Sequence, residues 1–178
     1  VFTACVEENL NKSMKDTTKT NTINERSTPQ GNAKKPDKAL HVLFEAFKHN
    51  DFDRINPYIP TRDDMVYMIE KAIAQSNKPD EIARTRNMID TILVQGKIRI
   101  EKQFTNSREK AIKDGIDWAN SSFLRIDHTF QTEPKTAIKT GNSKVYFSYA
   151  GTEYYFQATS AELPSGWKLG NNIVWPKQ

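Results

Sequence analysis

The sequence predicts an α+β fold in which N-terminal helices pack on a curved antiparallel sheet of about four strands. Between about residues 37 and 116 the apolar residues recur with a helical period, and from Ser122 onward the period changes to two. Helical segments come first and neighbouring strands follow, an order typical of helices grouped on one face of an antiparallel sheet. The 178 residues allow one such domain and an additional segment.

The first helix is predicted to begin at Asp37, a residue type that caps helix N-termini, and to end near residues 49–50. Its apolar residues recur at i, i+3, i+4 and i+7 as one stripe: Leu40, Leu43, Phe44 and Phe47. Prolines within residues 56–60 exclude a continuous helix there. A second helix is expected after Thr61, which forms a capping-box variant with Asp64, and is expected to end near residues 76–77.

A third helix is predicted to have Pro79 in its first turn and to extend as far as Phe104. Gly96 weakens a helix locally, so a kink is expected there. A shorter fourth helix is predicted from about Asn106, and it closes the helical half near Gly115.

Residues 123–130 alternate in polarity and are predicted to form the first strand of the sheet. One face of this strand is expected to carry Leu124, Ile126, His128 and Phe130. Asp127 belongs to the opposite face, because adjacent strand residues point in opposite directions. Asp127 and His128 therefore cannot both enter one cavity.

Two further strands, residues 144–149 and 152–158, flank Ala150-Gly151, which is expected to form a tight hairpin. A turn at residues 164–166 leads into two short strands, residues 167–169 and 173–175, with Gly170-Asn171-Asn172 between them.

Cys5 is the only cysteine of the chain, and it follows the small residues Thr3 and Ala4. Small residues directly before a lone cysteine are typical of a bacterial lipoprotein acylation site, although Phe2 stands where Leu is usual. The alternative is a buried structural cysteine. The polar stretch after Cys5 favours acylation, because it contains nothing that would bury the thiol.

Residues 1–36 are accordingly predicted to be a lipoprotein signal remnant, the acylation site and a disordered tether. Residues 37–178 are predicted to form the α+β domain.

Lys and Arg are interleaved with Asp and Glu at a net charge of +4, which argues against a nucleic-acid partner. One cysteine and three scattered histidines exclude a Cys-rich zinc site, and we expect no metal and no cofactor. The sequence does not indicate the oligomeric state.

The layout of the chain resembles a known type of protein. Its signature segments are residues 43–48 (Leu-Phe-Glu-Ala-Phe-Lys), 50–53 (Asn-Asp-Phe-Asp), 58–61 (Tyr-Ile-Pro-Thr), 115–118 (Gly-Ile-Asp-Trp) and 166–169 (Gly-Trp-Lys-Leu). With the aromatic hairpins they are similar to small Bacteroidetes-type lipoproteins with a cystatin-like or NTF2-like α+β domain. The resemblance covers roughly residues 37–176. It implies a curved sheet that wraps a helix and often leaves a conical apolar cavity.

Aromatic residues are the richest chemical feature of the predicted sheet. Alternation sends about half of them inward to build the core, and exposed Tyr and Trp favour a ligand groove or a partner surface. The residues predicted to contact a ligand are His128, Tyr146, Tyr155 and Trp167. Oligosaccharide or peptide binding would fit these side chains.

The sequence contains no catalytic signature, so no catalytic residue is assigned. We expect a membrane-anchored lipoprotein of the bacterial cell envelope, carrying a lipid on Cys5 in the outer membrane, with the domain on its periplasmic or surface-exposed face. Its domain is expected to bind a small ligand or an envelope protein. The alternative implied by the resemblance is an NTF2-like enzyme acting on a small apolar substrate in the sheet cavity. A third interpretation is an interaction or inhibitor module, which cystatin-like folds also support.

Overall fold

A computed structural model describes residues 23–27, 35–73 and 84–176. The α-helices are α1 (Asp37–His49), α2 (Arg62–Ile73) and α3 (Ile89–Lys113), with 3-10 helices at Phe52–Tyr58 and Trp118–Asn120. The strands are β1 (Ile23–Ser27), β2 (Ser122–Thr132), β3 (Lys139–Tyr149), β4 (Thr152–Leu163) and β5 (Gly166–Val174). The predicted α+β class, with helices first and the sheet after them, is confirmed.

The sheet is antiparallel throughout, with its strands in the order in which they occur along the chain. Strands β2 to β5 form the antiparallel sheet of about four strands that the sequence predicts. Strand β1 adds a short edge strand, which pairs with residues 126–130 of β2. The prediction of a disordered tether is therefore wrong for Ile23–Ser27. These residues obtain their hydrogen-bond partners from a strand about one hundred residues later in the chain. Their own polar sequence does not indicate this pairing. Cys5 lies outside the described residues.

Helix α3 differs from the prediction of two separate helices. It continues without interruption past Gly96 and Asn106 over 25 residues. The residues that it buries against the core keep one helical stripe through the predicted break: Ile100, Phe104, Ser107 and Ala111. Tertiary packing of this stripe outweighs the local weakness of a glycine in the helix. Pro79, the predicted start, lies outside the described residues.

Strand β2 also departs from simple alternation. Its register with β3 shifts between Phe123 and Arg125, which marks a β-bulge. Phe123 consequently packs against the core, whereas Leu124 is 40% exposed. The predicted inward position of Leu124 is wrong for this reason, while Ile126, His128 and Phe130 are buried as predicted.

Strand β5 is one strand rather than the two short ones that the sequence indicated. Gly170, Asn171 and Asn172 do not end it; they form a bulge opposite the single residue Thr159 of β4. The pairing resumes on both sides, between Ala158 and Ile173 and between Ser160 and Leu169. The hairpin at Ala150-Gly151 is confirmed, with both residues at positive φ.

The space between helices and sheet is filled with aromatic rings. Phe47 of α1 stacks on both Phe104 and Trp118 at centroid distances of 4.8 Å, and it meets Phe156 of β4 edge-on at 4.9 Å. Trp118 also packs 4.9 Å from Phe147 of β3. All five side chains are at most 3% exposed. The helices are thus joined to the sheet by solid packing, which favours one well-ordered core.

Helix α2 begins with the predicted capping box. The Asp64 carboxylate accepts hydrogen bonds from the backbone N–H and the hydroxyl of Thr61, both at 2.9 Å. It also accepts from the N–H of Ser165 at 3.2 Å and from the Ser165 hydroxyl at 2.5 Å. One carboxylate therefore caps the helix and holds the β4–β5 turn against it.

Candidate functional site

The two faces of the sheet have different chemistry. We call the face covered by α1 and α3 the inner face, and the opposite one the outer face. Alternation assigns the core residues Ile126, Val145 and Phe156 to the inner face. The side chains of the outer face on the three central strands are mostly polar or phenolic: Arg125, Asp127, Thr129, Asn142, Lys144, Tyr146, Tyr155 and Gln157.

His128 belongs to the inner face, where it forms a buried relay. Its Nε2 lies 2.7 Å from the Asp37 carboxylate, and its Nδ1 lies 2.8 Å from the Ser143 hydroxyl. A carboxylate accepts, so Nε2 donates to Asp37 and Nδ1 is left to pair with Ser143. The residue types are those of a hydrolase triad, but the ring nitrogens are used in the reverse sense. Ser143 is only 3% exposed, so the relay acts as a brace between α1 and the sheet.

A ladder of cations and phenol rings crosses the outer face. The Arg125 guanidinium lies 3.8 Å from the ring centroid of Tyr146, and Tyr146 packs 5.5 Å from Tyr155 on the next strand. The Lys144 ammonium lies 4.8 Å from the Tyr155 ring. Glu153 binds Arg125 through two hydrogen bonds of 2.6 and 2.8 Å. Those bonds raise the pKa of Arg125, with a smaller contribution from the charge of Asp127.

This ladder limits how the tyrosines can act. Because cations and neighbouring rings occupy the flanks of Tyr146 and Tyr155, their faces are engaged within the sheet. A ligand that approaches from solvent meets ring edges and hydroxyl groups. The outer face is therefore suited to hydrogen bonding more than to stacking.

A groove of about 710 Å³ lies on the outer face beside the ladder. Its outer-face side chains come from four strands: Asp127, Thr129, Asn142, Lys144, Tyr146, Gln157, Thr159 and Asn172. His128, Ser143 and Ala158 border it from the alternate positions, and the first two turn their side chains to the inner face. The volume is in the usual range for small-molecule sites, but the lining is far more polar than is typical.

Four of these side chains form a compact rectangle. Asn142 and Lys144 of β3 stand directly opposite Thr159 and Gln157 of β4 in the ladder. Residues two apart on one strand are separated by about 7 Å, and neighbouring strands by about 4.8 Å. Of these side chains, the Lys144 ammonium lies over the Tyr155 ring and the Thr159 hydroxyl is packed against Gly170. The rectangle therefore offers a small polar molecule chiefly the amides of Asn142 and Gln157.

Thr159 is the most unusual member of the lining. It is 7% exposed, and its Oγ1 has no hydrogen-bond partner within the described part of the chain. The bulge in β5 places Gly170 against it, and a Cβ on residue 170 would collide with the Thr159 side chain. The hydroxyl oxygen is therefore packed against Gly170 and is not accessible from the groove.

The predicted ligand residues are not all brought together. Tyr146 lines the groove, and Tyr155 packs beside it on the same face. The side chain of His128 lies on the inner face, and Trp167 is 7% exposed with its ring 5.5 Å from Phe130. A ligand in the outer-face groove is thus not expected to contact the side chains of His128 and Trp167, because both pack on the inner face.

Sequence reasoning missed the polar members of the groove. Asn142, Gln157, Thr159 and Asn172 carry no motif, because each is an ordinary polar residue of a strand. Period-two alternation could have assigned Asn142 and Gln157 to the face of Tyr146 and Tyr155. The same alternation, continued past the predicted end of the strand, would include Thr159. Asn172 depends on the bulge of β5, which alternation does not reveal.

Within residues 35–72 and 84–176, no group of three or more His, Cys, Asp or Glu side chains could hold a metal ion. In the same stretches no helix has both the length and the apolar character needed to cross a bilayer. Comparison with known proteins finds no matching family model, no matching curated protein and no matching solved structure. What the groove binds must therefore be inferred from its own side chains.

Proposed function

We propose that this protein is a lipid-anchored lipoprotein of the bacterial cell envelope whose α+β domain binds a small polar ligand in the outer-face groove. The observation that carries the binding function is the groove itself, a concave site of about 710 Å³ lined by polar side chains from four strands. The anchor is Cys5, with the polar residues after it as the connection between membrane and domain.

The polar side chains of the groove favour polar ligands over apolar ones. Asn142 and Gln157 each offer an amide that both donates and accepts, while Asp127 accepts and Lys144 donates. An apolar ligand would strip water from all of these groups without replacing their hydrogen bonds, which is unfavourable. A small molecule rich in hydroxyl or amide groups would replace them.

The packing of the inner face counts against the NTF2-like enzyme alternative. That function needs a cavity between sheet and helices, with an ionisable group facing an apolar substrate. Phe44, Phe47, Trp118, Phe147 and Phe156 occupy this region, each at most 2% exposed. His128, which is buried there, is held by Asp37 and Ser143 and is 1% exposed.

The binding function is tested by screening a library of small polar compounds, made of sugars, amino acids, nucleosides and dipeptides, against the full chain by NMR. Binders should shift the amide resonances of residues 127–129, 142–146 and 157–159. Gln157→Ala should weaken any binder found by about tenfold, because it removes one polar anchor of a buried contact. Gln131→Ala, on an exposed position of β2 outside the groove lining, is the matched control. A binder that shifts only resonances elsewhere, or that both variants weaken equally, would contradict the proposal.

A further inference from the structure

Helix α3 exposes large apolar side chains on its solvent side, where a helix packed on a core ordinarily carries polar ones. Val94, Ile98 and Ile112 are 58%, 51% and 45% exposed. We infer that this side of α3 is a membrane-contact surface, which lies on the anionic lipid bilayer that holds the Cys5 anchor. The inference goes beyond the proposed ligand binding, and it rests on the proposed anchor for the location of the bilayer.

The exposed apolar side chains share one face of α3. Successive helical residues are rotated by about 100°, which places four residues within an arc of about 40°: Val94, Ile98, Thr105 and Ile112. We call these residues the exposed stripe. The residues that α3 buries against the core lie about a third of a turn away: Ile100, Phe104, Ser107 and Ala111. The packing of the domain therefore accounts for the buried residues and leaves the exposed stripe without an explanation.

The charge of α3 suits an anionic surface. The helix contains six Lys and Arg residues and three Asp and Glu residues, so its net charge is +3. Lys97 lies on one flank of the exposed stripe, and Lys102 and Lys113 lie on the other, all three exposed. Glu101 and Glu109 also border the stripe, and they leave the cations in excess. Apolar side chains between cations are typical of a helix that lies in the plane of a membrane surface and attracts anionic headgroups.

A second copy of the chain is a weaker candidate for the same surface. Two α3 helices packed through their exposed stripes would bring their positive charges together, which is unfavourable. Three half-exposed aliphatic side chains also offer far less than the roughly 800 Å² per partner that a stable dimer buries. A bilayer requires no such area, because an anchored chain meets the surface at a high effective concentration and needs only a weak contact.

The contact also sets the direction in which the outer-face groove opens. The buried residues of α3 point to the core and the sheet behind it, and the exposed stripe points more than a right angle away from that direction. With the exposed stripe on lipid, the groove on the far side of the sheet therefore faces away from the bilayer. It stays open to dissolved ligands while the domain rests on the membrane.

The experiment measures binding to vesicles by co-sedimentation, using the full chain with Cys5→Ala so that no lipid on this residue contributes. The anionic vesicles contain equal parts of phosphatidylglycerol and phosphatidylethanolamine, and phosphatidylcholine vesicles are the uncharged comparison. The chain should bind the anionic vesicles, and it should bind phosphatidylcholine at least about tenfold more weakly. Circular dichroism checks that every variant is folded.

The apolar part of the contact is tested on Val94 and Ile98. Replacing both by Gln (Val94→Gln with Ile98→Gln) should weaken binding to anionic vesicles about tenfold, because apolar area no longer enters the bilayer. Leu124→Gln is the matched control, since it makes the same kind of change at a 40% exposed side chain of β2. It should change the affinity by less than about twofold.

The electrostatic part of the contact is tested on Lys102. Lys102→Gln should weaken binding to anionic vesicles about fivefold, because it removes one cation from the membrane surface. Lys38→Gln removes the same charge from an exposed position of α1 and is the matched control. Its effect should be less than about twofold.

Weaker binding by both α3 variants, with both controls unchanged, would establish the membrane-contact surface. Binding to neither kind of vesicle, equal binding to both, or a variant no weaker than its control would overturn it. Self-association of the wild-type chain that Val94→Gln with Ile98→Gln abolishes, seen by analytical ultracentrifugation, would assign the stripe to a second copy instead. The proposed function fails on other measurements, which are palmitate labelling of Cys5 for the anchor and the NMR screen for the groove.

Discussion

The imidazole Nε2 of His128 on β2 lies 2.7 Å from the carboxylate of Asp37 in the first turn of α1, although 91 residues separate them. Both side chains are nearly inaccessible, at 1% and 6% exposure. The contact ties the start of the first helix to the second strand of the sheet. Aromatic rings pack around it, including Phe130, which stacks 5.1 Å from the imidazole.

His128→Ala should therefore destabilise the domain by about 2–4 kcal/mol, because it removes buried packing and leaves the Asp37 carboxylate without this donor. Urea unfolding monitored by tryptophan fluorescence measures the change. His49→Ala is the matched control, since its side chain is 52% exposed and should change the free energy of unfolding by less than about 0.5 kcal/mol. Equal effects of the two substitutions would show that the buried relay does not brace the fold.

Asp64 makes the stability of the domain depend on pH. Burial by itself raises the pKa of Asp64, but hydrogen bonds from Ser165 and Thr61 outweigh it and hold the pKa below its ordinary value. A carboxylate with a lowered folded-state pKa contributes stability that is fully present above its unfolded pKa of about 3.9. That contribution is lost as the pH falls through the folded-state pKa.

Asp64→Asn should thus cost about 1–2 kcal/mol at neutral pH, and the difference from wild type should shrink as the pH falls below about 4. Unfolding curves collected between neutral pH and pH 2 measure it. Asp63→Asn, at the exposed neighbouring position, should change the free energy of unfolding at neutral pH by no more than about 0.5 kcal/mol. A difference for Asp64→Asn that stays constant across the range would refute the charge-assisted cap.

Cys5 can be tested apart from the domain. If Cys5 is acylated, metabolic labelling of the cells with a palmitate analogue should mark the wild-type protein and should not mark Cys5→Ala. The labelled protein should fractionate with membranes, and the variant should not. Since Cys5 is the only cysteine of the chain, equal labelling of both proteins would exclude a lipid attached to it.

The elements that the sequence predicted well share a local cause. Helix α1 carries its whole apolar stripe within residues 37–50, and the capping box of α2 requires only Thr61 and Asp64. The expected cap of α1 by Asp37 is wrong, because Pro36 is the N-cap and the Asp37 carboxylate contacts His128 instead. The hairpin at Ala150-Gly151 likewise follows from its own turn residues. Each of these is decided by side chains fewer than about ten residues apart, so a pattern in the sequence is sufficient.

The elements that differ share a non-local cause. Strand β1 forms because the edge of β2 offers it partners, and α3 continues through Asn106 because Ser107 and Ala111 pack on the core. The bulge of β2 turns Leu124 outward, and the bulge of β5 joins two predicted strands into one. Register is a property of a pair of strands, so neither bulge is visible in one strand's sequence.

By itself, the amino-acid sequence determined the order of helices and strands, the alternation that separates Asp127 from His128, and the placement of Tyr146 and Tyr155 on one face. Only the tertiary structure decided that His128 meets Asp37 and that Gln157 and Thr159 meet Lys144 and Asn142. It also decided that the usable concavity lies on the outer face, because aromatic side chains from α1, α3, β3 and β4 fill the inner one. Helical and strand periods record which side of an element is apolar, whereas a site depends on which elements become neighbours.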